Sequence, residues 1–257
     1  MAALPAIRGL LIDVDDTLVD SKSGFAIAVN AVCDHYLPQL DAAGREAALA
    51  LWRADPAGYY SAFTRGEITA DQQRLLRANQ LFERFGGPVL TEQEYGEWFK
   101  IFWTGFEAGW VAHADAHHLL DTLEACGIVY GALTNAGTDL QQRKLQAAGL
   151  ERVPLLVTLD TFGVGKPDPR VFHRGAELLG VEPQHCGYVG DELTVDGLGA
   201  QNSGLHGIWL DRPGSRRAGS HLEDPAAARQ AGVVVVQNLR ELADLISLPK
   251  TELATGT

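Results

Sequence analysis

The sequence of 257 residues contains little cysteine, with three residues, Cys33, Cys126 and Cys186, and no C-x-x-C pair. An odd number without that spacing argues against both a disulfide framework and a zinc knuckle of paired cysteines. We therefore expect the thiols to stay reduced and the protein to be cytoplasmic.

Long apolar runs and a basic surface are missing as well. No stretch approaches the roughly 18 apolar residues that a membrane span requires, and the apolar segment near the N-terminus is too short for a signal peptide. The 21 Lys and Arg residues against 33 Asp and Glu residues give a formal net charge of −12. Because nucleic acids and anionic membranes favour basic surfaces, neither is an expected partner. An anionic substrate would need a cation brought to it.

The sequence does contain short apolar runs that alternate with helix-length segments. Continuous apolar runs of this length are typical of strands buried on both faces of a parallel sheet. The predicted strands are residues 9–13, 128–133, 155–158, 187–190, 207–210 and 232–236. Between them, helical spacing predicts helices at residues 116–126, 138–148, 170–179 and 192–204, with a last one near 239–246. This alternation indicates βαβ units and an α/β fold.

One interval, from about residue 21 to residue 109, lacks a convincing strand. Its amphipathic segments predict four helices, at residues 24–40, 43–52, 69–85 and 91–106. Thr69 and Thr91 are N-cap candidates, and Glu94 follows Thr91 at capping-box spacing. Because the interval follows the first strand, it stands over the edge where open α/β sheets bind ligands. We predict a core domain of residues 1–20 and 110–257 and a helical cap of residues 21–109.

Polar side chains follow the ends of the predicted strands. Asp13 and Asp15 end the first strand one pleat apart and on the same side, where like charges repel unless a cation lies between them or a proton is shared. The later polar groups are Thr134, Lys166, Asp191 and Asp196. Each alone is common in turns, but together they would meet at the carboxyl edge of one sheet.

These residues resemble the four motifs of the haloacid dehalogenase superfamily of hydrolases. The first motif is DVDDTLVD, the second is Thr134 after IVYGAL, the third is Lys166 in GVGKPDPRVF and the fourth is GDELTVD. The resemblance covers residues 7–20 and 110–246. It implies a Rossmann-like parallel core, and the helical interval is similar to the type-1 cap of this superfamily.

The resemblance also implies a role for each residue. Asp13 would be the nucleophile that forms an aspartyl-phosphate, and Asp15 would be the general acid and base. Thr134 and Asn135 would bind the phosphoryl oxygens, and Lys166 would neutralise the charge that grows during transfer.

A divalent cation is expected, because a phosphoryl group brings negative charge to a site that already holds carboxylates. Oxygen ligands and a phosphate partner select Mg²⁺. Its expected ligands are Asp13, Asp191 and the backbone carbonyl of Asp15. Asp196 would orient Lys166 or the metal-bound waters.

Members of the superfamily that displace halide from carbon carry an aromatic residue at the position of Asp15. Asp15 with Asp191 therefore favours a Mg²⁺-dependent phosphatase acting on a small phosphorylated metabolite. Two alternatives stay open: a regulatory protein that binds a partner through its cap, and a haloacid dehalogenase. The chain is compatible with a monomer or a homodimer.

The predicted cap leaves substrate choice open. Arg65, Arg74 and Arg77 either pair with Glu67, Asp71 or Glu83 on solvated helix faces or meet a second anionic group of a ligand. The aromatic residues at helical spacing are Trp98, Phe99, Phe102, Trp103 and Phe106. They form either the core of the cap or a platform for base stacking, and we favour the core.

Overall fold

The computed structural model describes residues 4–214 and 223–247, so parts of the predicted core domain, residues 1–3, 215–222 and 248–257, lie outside it. Its strands are β1 (Gly9–Ile12), β2 (Val129–Leu133), β3 (Leu155–Val157), β4 (Cys186–Gly190), β5 (His206–Leu210) and β6 (Val234–Val236). All neighbours pair in parallel, in the order β3-β2-β1-β4-β5-β6. The predicted α/β, Rossmann-like fold and its six strands are confirmed.

Residues 21–109, all of which the structure describes, form helices and no strand. These helices are α1 (Ser21–Tyr36), α2 (Ala42–Ala54), α3 (Tyr59–Thr64), α4 (Ala70–Phe85) and α5 (Glu92–Ala108). Thr69 and Thr91 both cap their helices through capping boxes, as the sequence predicts for Thr91 and Glu94. The sequence prediction missed α3, because its six residues are too few to show a helical period. We call residues 21–109 the helical insertion.

The helical insertion and the sheet share one buried apolar cluster. One cluster of buried side chains continues from Leu10 and Ile12 in β1 to Phe82 and Trp98 in the helical insertion. Within the helical insertion, α1 and α5 approach closely at Gly109, where a Cβ atom would lie 2.5 Å from the Cα of Gly24. A glycine is needed there because two backbones meet. The helical insertion is therefore held by apolar burial and not only by its two connections.

The remaining helices are α6 (Ala116–Ala125), α7 (Thr138–Ala147), α8 (Pro169–Leu178), α9 (Leu198–Asn202), α10 (Pro225–Gln230) and α11 (Leu239–Ser247). The helix predicted at residues 192–204 instead begins with a π-helical turn, Leu193–Gly197, before α9. There the Asp196 carboxylate accepts a hydrogen bond from the Glu192 N–H at 2.9 Å. A side chain thus bonds to the main chain where the helix begins. Among residues 4–214 and 223–247, no helix has the length and apolarity that a membrane crossing requires.

Candidate active site

A cavity of about 1060 Å³ lies between the helical insertion and the carboxyl edge of the sheet. The residues predicted from the sequence to form a site all line this cavity: Asp13, Asp15, Thr134, Asn135, Lys166, Asp191 and Asp196. The strand order explains why, since β1 lies between β2 and β4 and all three end at this edge. The parallel sheet thus brings together groups that are up to 183 residues apart in the chain.

Lys166 lies at the centre of a buried polar network. Its Nζ is 2.8 Å from Asp13 Oδ1 and 2.8 Å from Asp196 Oδ1. It also donates a hydrogen bond to the Tyr188 hydroxyl at 2.6 Å. The expected link between Asp196 and Lys166 is therefore present as a direct ion pair. The sequence prediction missed Tyr188, because its position inside an apolar strand reads as core.

Burial raises the pKa of Asp13 to about 7, although the charge of Lys166 opposes that rise. Burial also lowers the pKa of Lys166, but Asp13 and Asp196 outweigh it and raise that pKa well above its usual value. Lys166 thus stays charged, while Asp13 needs further positive charge nearby to be fully ionised at neutral pH. A cation beside Asp13 would supply it.

The carboxylates of Asp13, Asp191 and Asp196 are placed to share such a cation. One oxygen from each lies within 4.8 Å of the other two. Oxygen donors of this kind suit Mg²⁺, which commonly keeps several waters and takes few carboxylates. The main chain at Asp191 is held in place, because its carbonyl accepts a hydrogen bond from Trp209 Nε1 at 2.9 Å. These residues therefore fit the predicted metal, and Asp196, which the sequence predicted only to orient Lys166 or the metal-bound waters, belongs to the same carboxylate cluster.

We expect the metal-free protein to lose stability as the pH rises from 5 to 7. The folded state keeps the Asp13 proton up to about pH 7, whereas a free carboxyl loses it near pH 3.8. The unfolded state therefore binds fewer protons in this window, and the free energy of unfolding falls as pH rises. Between pH 5 and pH 7 the wild type should lose about 2 kcal/mol more free energy of unfolding than Asp13→Asn does. Urea unfolding in EDTA measures this difference.

Asp244→Asn, an exposed change on α11, is the control. Its free energy of unfolding should depend on pH as that of the wild type does. Mg²⁺ added at pH 7 should restore stability to the wild type more than to Asp13→Asn. Identical pH slopes in wild type and Asp13→Asn would contradict this account of Asp13.

Asp15 is held by three donors that the sequence did not reveal. Gln141 Nε2 donates to its Oδ2 at 2.6 Å, and Lys144 Nζ and Ser21 Oγ both donate to its Oδ1. Gln141 and Lys144 lie three positions apart on α7 and so share a helix face. Their spacing was readable in the sequence, but nothing there related that face to Asp15.

Lys144 is buried, with 1% of its side chain exposed. Its Nζ lies 5.0 Å from the ring centroid of Phe106 and 5.6 Å from that of Trp110, so two aromatic faces and one carboxylate surround the charge. Burial alone raises the pKa of Asp15, but Lys144 and the three hydrogen bonds together lower it below its usual value. Asp15 is thus kept ionised and fixed in orientation.

Thr134 and Asn135 follow β2 but make different contacts. Thr134 Oγ1 accepts hydrogen bonds from Gln141 Nε2 at 3.0 Å and from the Ala136 N–H at 3.3 Å. The Asn135 amide accepts from the Lys166 N–H at 2.6 Å and donates to the Lys166 carbonyl at 3.0 Å. In this arrangement Asn135 positions the Lys166 loop, and its predicted contact with a phosphoryl oxygen stays a prediction.

The Lys166 loop also contacts the helical insertion through the main chain. The Gly165 N–H donates to the Thr64 carbonyl at 2.9 Å. Gly66, two residues after Thr64, has a φ of +76°, and a Cβ there would lie 2.9 Å from the Gly163 carbonyl oxygen. Only glycine accommodates both that φ and that approach. The end of α3 is thus joined to the loop that carries Lys166.

Two arginines of the helical insertion, Arg65 and Arg74, pair with Glu67 and Asp71, as one of the two alternatives predicts, whereas Arg77 is largely buried beside Asp55 and not beside Glu83. Arg65 contacts Glu67 at 2.6 Å, Arg74 contacts Asp71 at 3.3 Å, and Arg77 lies 3.7 Å from Asp55. All three also line the cavity. Among the aromatic residues, Trp98, Phe102 and Phe106 are buried as core, whereas Phe99 and Trp103 are half-buried against the cavity.

Comparison with known proteins places these features in context. The chain matches the haloacid dehalogenase-like hydrolase family over residues 7–204. It is 29% identical to a phosphoserine phosphatase of Thermus thermophilus, over 85% of this chain and 92% of the relative. It is 26% identical to a phosphoglycolate phosphatase of Escherichia coli, over 98% and 97%. The L-2-haloacid dehalogenase of Xanthobacter autotrophicus shares the fold, with a TM-score of 0.68 and 19% identity over 93% and 98% of the two chains.

Proposed function

The chain belongs to the haloacid dehalogenase-like hydrolase family and is a phosphoric monoester hydrolase; we propose that it acts on a small phosphorylated metabolite, with Mg²⁺, through an aspartyl-phosphate. The observation that carries the proposal is the pair of carboxylates after β1. Asp13 is buried against Lys166 beside two further carboxylates, and Asp15 is held separately by Lys144. Two carboxylates in two different environments suit two different roles.

In the proposed mechanism Asp13 attacks phosphorus and the ester oxygen leaves with a proton from Asp15. Asp15 then accepts a proton from the water that hydrolyses the aspartyl-phosphate. The contacts with Lys144 favour the ionised form that accepts this proton. The negative charge of an incoming phosphoryl group raises the pKa of Asp15 and so favours the protonated form that the first step needs.

Other residues of the site would bind and orient the phosphoryl group. The Thr134 hydroxyl stands at the carboxyl end of β2, where it can donate to a phosphoryl oxygen. Lys166 would neutralise the growing charge, held in place by Asp196 and Tyr188. Mg²⁺ bound by Asp13, Asp191 and the Asp15 carbonyl would keep Asp13 ionised and offset the phosphate charge.

The alternatives are less well supported. An acid at the position of Asp15, fixed by Lys144, Gln141 and Ser21, disfavours carbon–halogen hydrolysis, which does not use one. A purely regulatory role does not explain why every predicted site residue lines one cavity. Phosphatase relatives of nearly full coverage support a small-molecule phosphorylated substrate. We also propose a cytoplasmic location, supported by three cysteines that form no disulfide.

The test is release of inorganic phosphate from 4-nitrophenyl phosphate and a panel of metabolite phosphates, with Mg²⁺ or with EDTA. We expect turnover that needs Mg²⁺ and falls at least about 1000-fold in Asp13→Asn, because the nucleophile is lost. Asp244→Asn should match the wild type. Folded protein that releases no phosphate from any compound, or an Asp13→Asn variant with full activity, would overturn the proposal.

A further inference from the structure

Charge is segregated across the cavity. On the core side its lining contains nine Asp and Glu residues and two lysines. On the side of the helical insertion it contains four arginines and one acidic residue, Asp55. In a chain with a formal charge of −12, four cations on one wall are a local reversal of the prevailing sign. Three of these arginines have acidic neighbours, so the wall can attract an anion only where such a pair is readily exchanged.

Arg74 is better placed than Arg65 to exchange its partner. Its contact with Asp71 is a single one at 3.3 Å, and the Asp71 side chain is 71% exposed. Asp71 also accepts a hydrogen bond from the Tyr95 hydroxyl at 2.9 Å, so it keeps a partner if a ligand anion takes its place at Arg74. An ion pair whose carboxylate is this exposed is weak, and a ligand carboxylate can replace that partner. Arg65, in contrast, donates to both oxygens of Glu67.

Two aromatic rings orient Arg74. Its guanidinium carbon lies 5.3 Å from the ring centroid of Phe99 and 5.6 Å from that of Trp103. Only 19% of the Arg74 side chain is exposed, so little freedom is left to lose when a ligand binds. The same two rings line the cavity and offer it an apolar surface.

The volume of the cavity suits a substrate larger than a phosphorylated two- or three-carbon acid. At about 1060 Å³ it is at the upper end of the range for pockets that take drug-sized ligands. Aromatic side chains of the helical insertion also line the cavity: Trp52, Phe63, Phe99, Phe102, Trp103 and Phe106. The body of a ligand that spans the cavity would therefore be largely apolar or planar.

We propose that Arg74, with Phe99 and Trp103, forms a subsite for a second anionic group of the substrate. The substrate class is then a phosphomonoester with an apolar or planar body and a carboxylate or second phosphate at its far end. This proposal rests on the proposed function, since it places the first phosphate at Asp13. The subsite selects by charge at one end while the core performs the chemistry at the other.

The test compares phenyl phosphate with 4-carboxyphenyl phosphate and with its uncharged match, 4-carbamoylphenyl phosphate. We expect the wild type to prefer the carboxylate over the carbamoyl compound by about tenfold in kcat/KM. Arg74→Gln should reduce that preference, the ratio of kcat/KM for the carboxylate to that for the carbamoyl compound, to about one. Arg84→Gln, an exposed change on the same helix, should retain the preference.

A second measurement separates the subsite from catalysis. Calorimetry with benzylphosphonate and 4-carboxybenzylphosphonate, which are not hydrolysed, should show the same preference and the same loss in Arg74→Gln. If the phosphonates show it but no phosphate ester turns over, the subsite stands and the proposed function fails. A wild type indifferent to the carboxylate, or an Arg74→Gln variant that weakens all ligands equally, would overturn the subsite.

Discussion

Asp15→Asn is expected to lower turnover of an alkyl phosphate by about 1000-fold, because the leaving alkoxide then receives no proton. A 4-nitrophenolate leaves without one, so the first step should survive with 4-nitrophenyl phosphate. The second step should remain slow, since Asn cannot accept a proton from water. We therefore expect a burst of about one 4-nitrophenol per protein followed by slow release.

Rapid-quench kinetics on the two substrates measures this difference, and the aryl ester serves as the internal control. Equal losses with both substrates and no burst would show that Asp15 has no part in proton transfer. Circular dichroism should show a folded variant, although Lys144 then faces an uncharged partner.

Lys144→Met is expected to lower kcat by about 10- to 100-fold with little change in KM, because Asp15 then loses the contact that orients it. The change should also lower the free energy of unfolding by about 2 kcal/mol, since it leaves a partly buried carboxylate without its cation. Lys100→Met, an exposed change on α5, is the matched control and should alter neither quantity.

The double variant shows whether Lys144 acts through Asp15. In an Asp15→Asn background, Lys144→Met should change kcat less than about twofold, because the group that it positions is already gone. Independent, multiplicative losses would instead mean that Lys144 contacts the substrate directly. The double variant should also lose less free energy of unfolding than the two single variants together, since no buried charge then lacks a partner.

The sheet and the candidate site were predictable from sequence to different extents. The strands could be predicted because buried parallel strands are continuous apolar runs, and the strand ends then located Asp13, Thr134 and Asp191. Their meeting at one edge follows from parallel pairing alone. This part of the prediction needed only the local pattern and the topology.

The contacts among these residues could not be predicted in the same way. Lys144 and Gln141 lie on a helix whose mean polarity indicates a solvated face, yet both are buried. Tyr188 reads as one more apolar strand residue, although its hydroxyl contacts Lys166. In each case the partner is distant in sequence, and only the packed structure shows that a charge lies within reach.

The link between Gly165 and Thr64 has a consequence for how this protein could change its substrate. The link uses an N–H and a carbonyl of the main chain, which nearly every residue provides. Side chains on the cavity wall of the helical insertion, Arg74 and Trp103 among them, are not needed for it. Substitutions on this wall, which we propose selects the ligand, can therefore occur while the loop that carries Lys166 keeps its position. The side chains that would set substrate preference can therefore vary in evolution without moving the catalytic lysine.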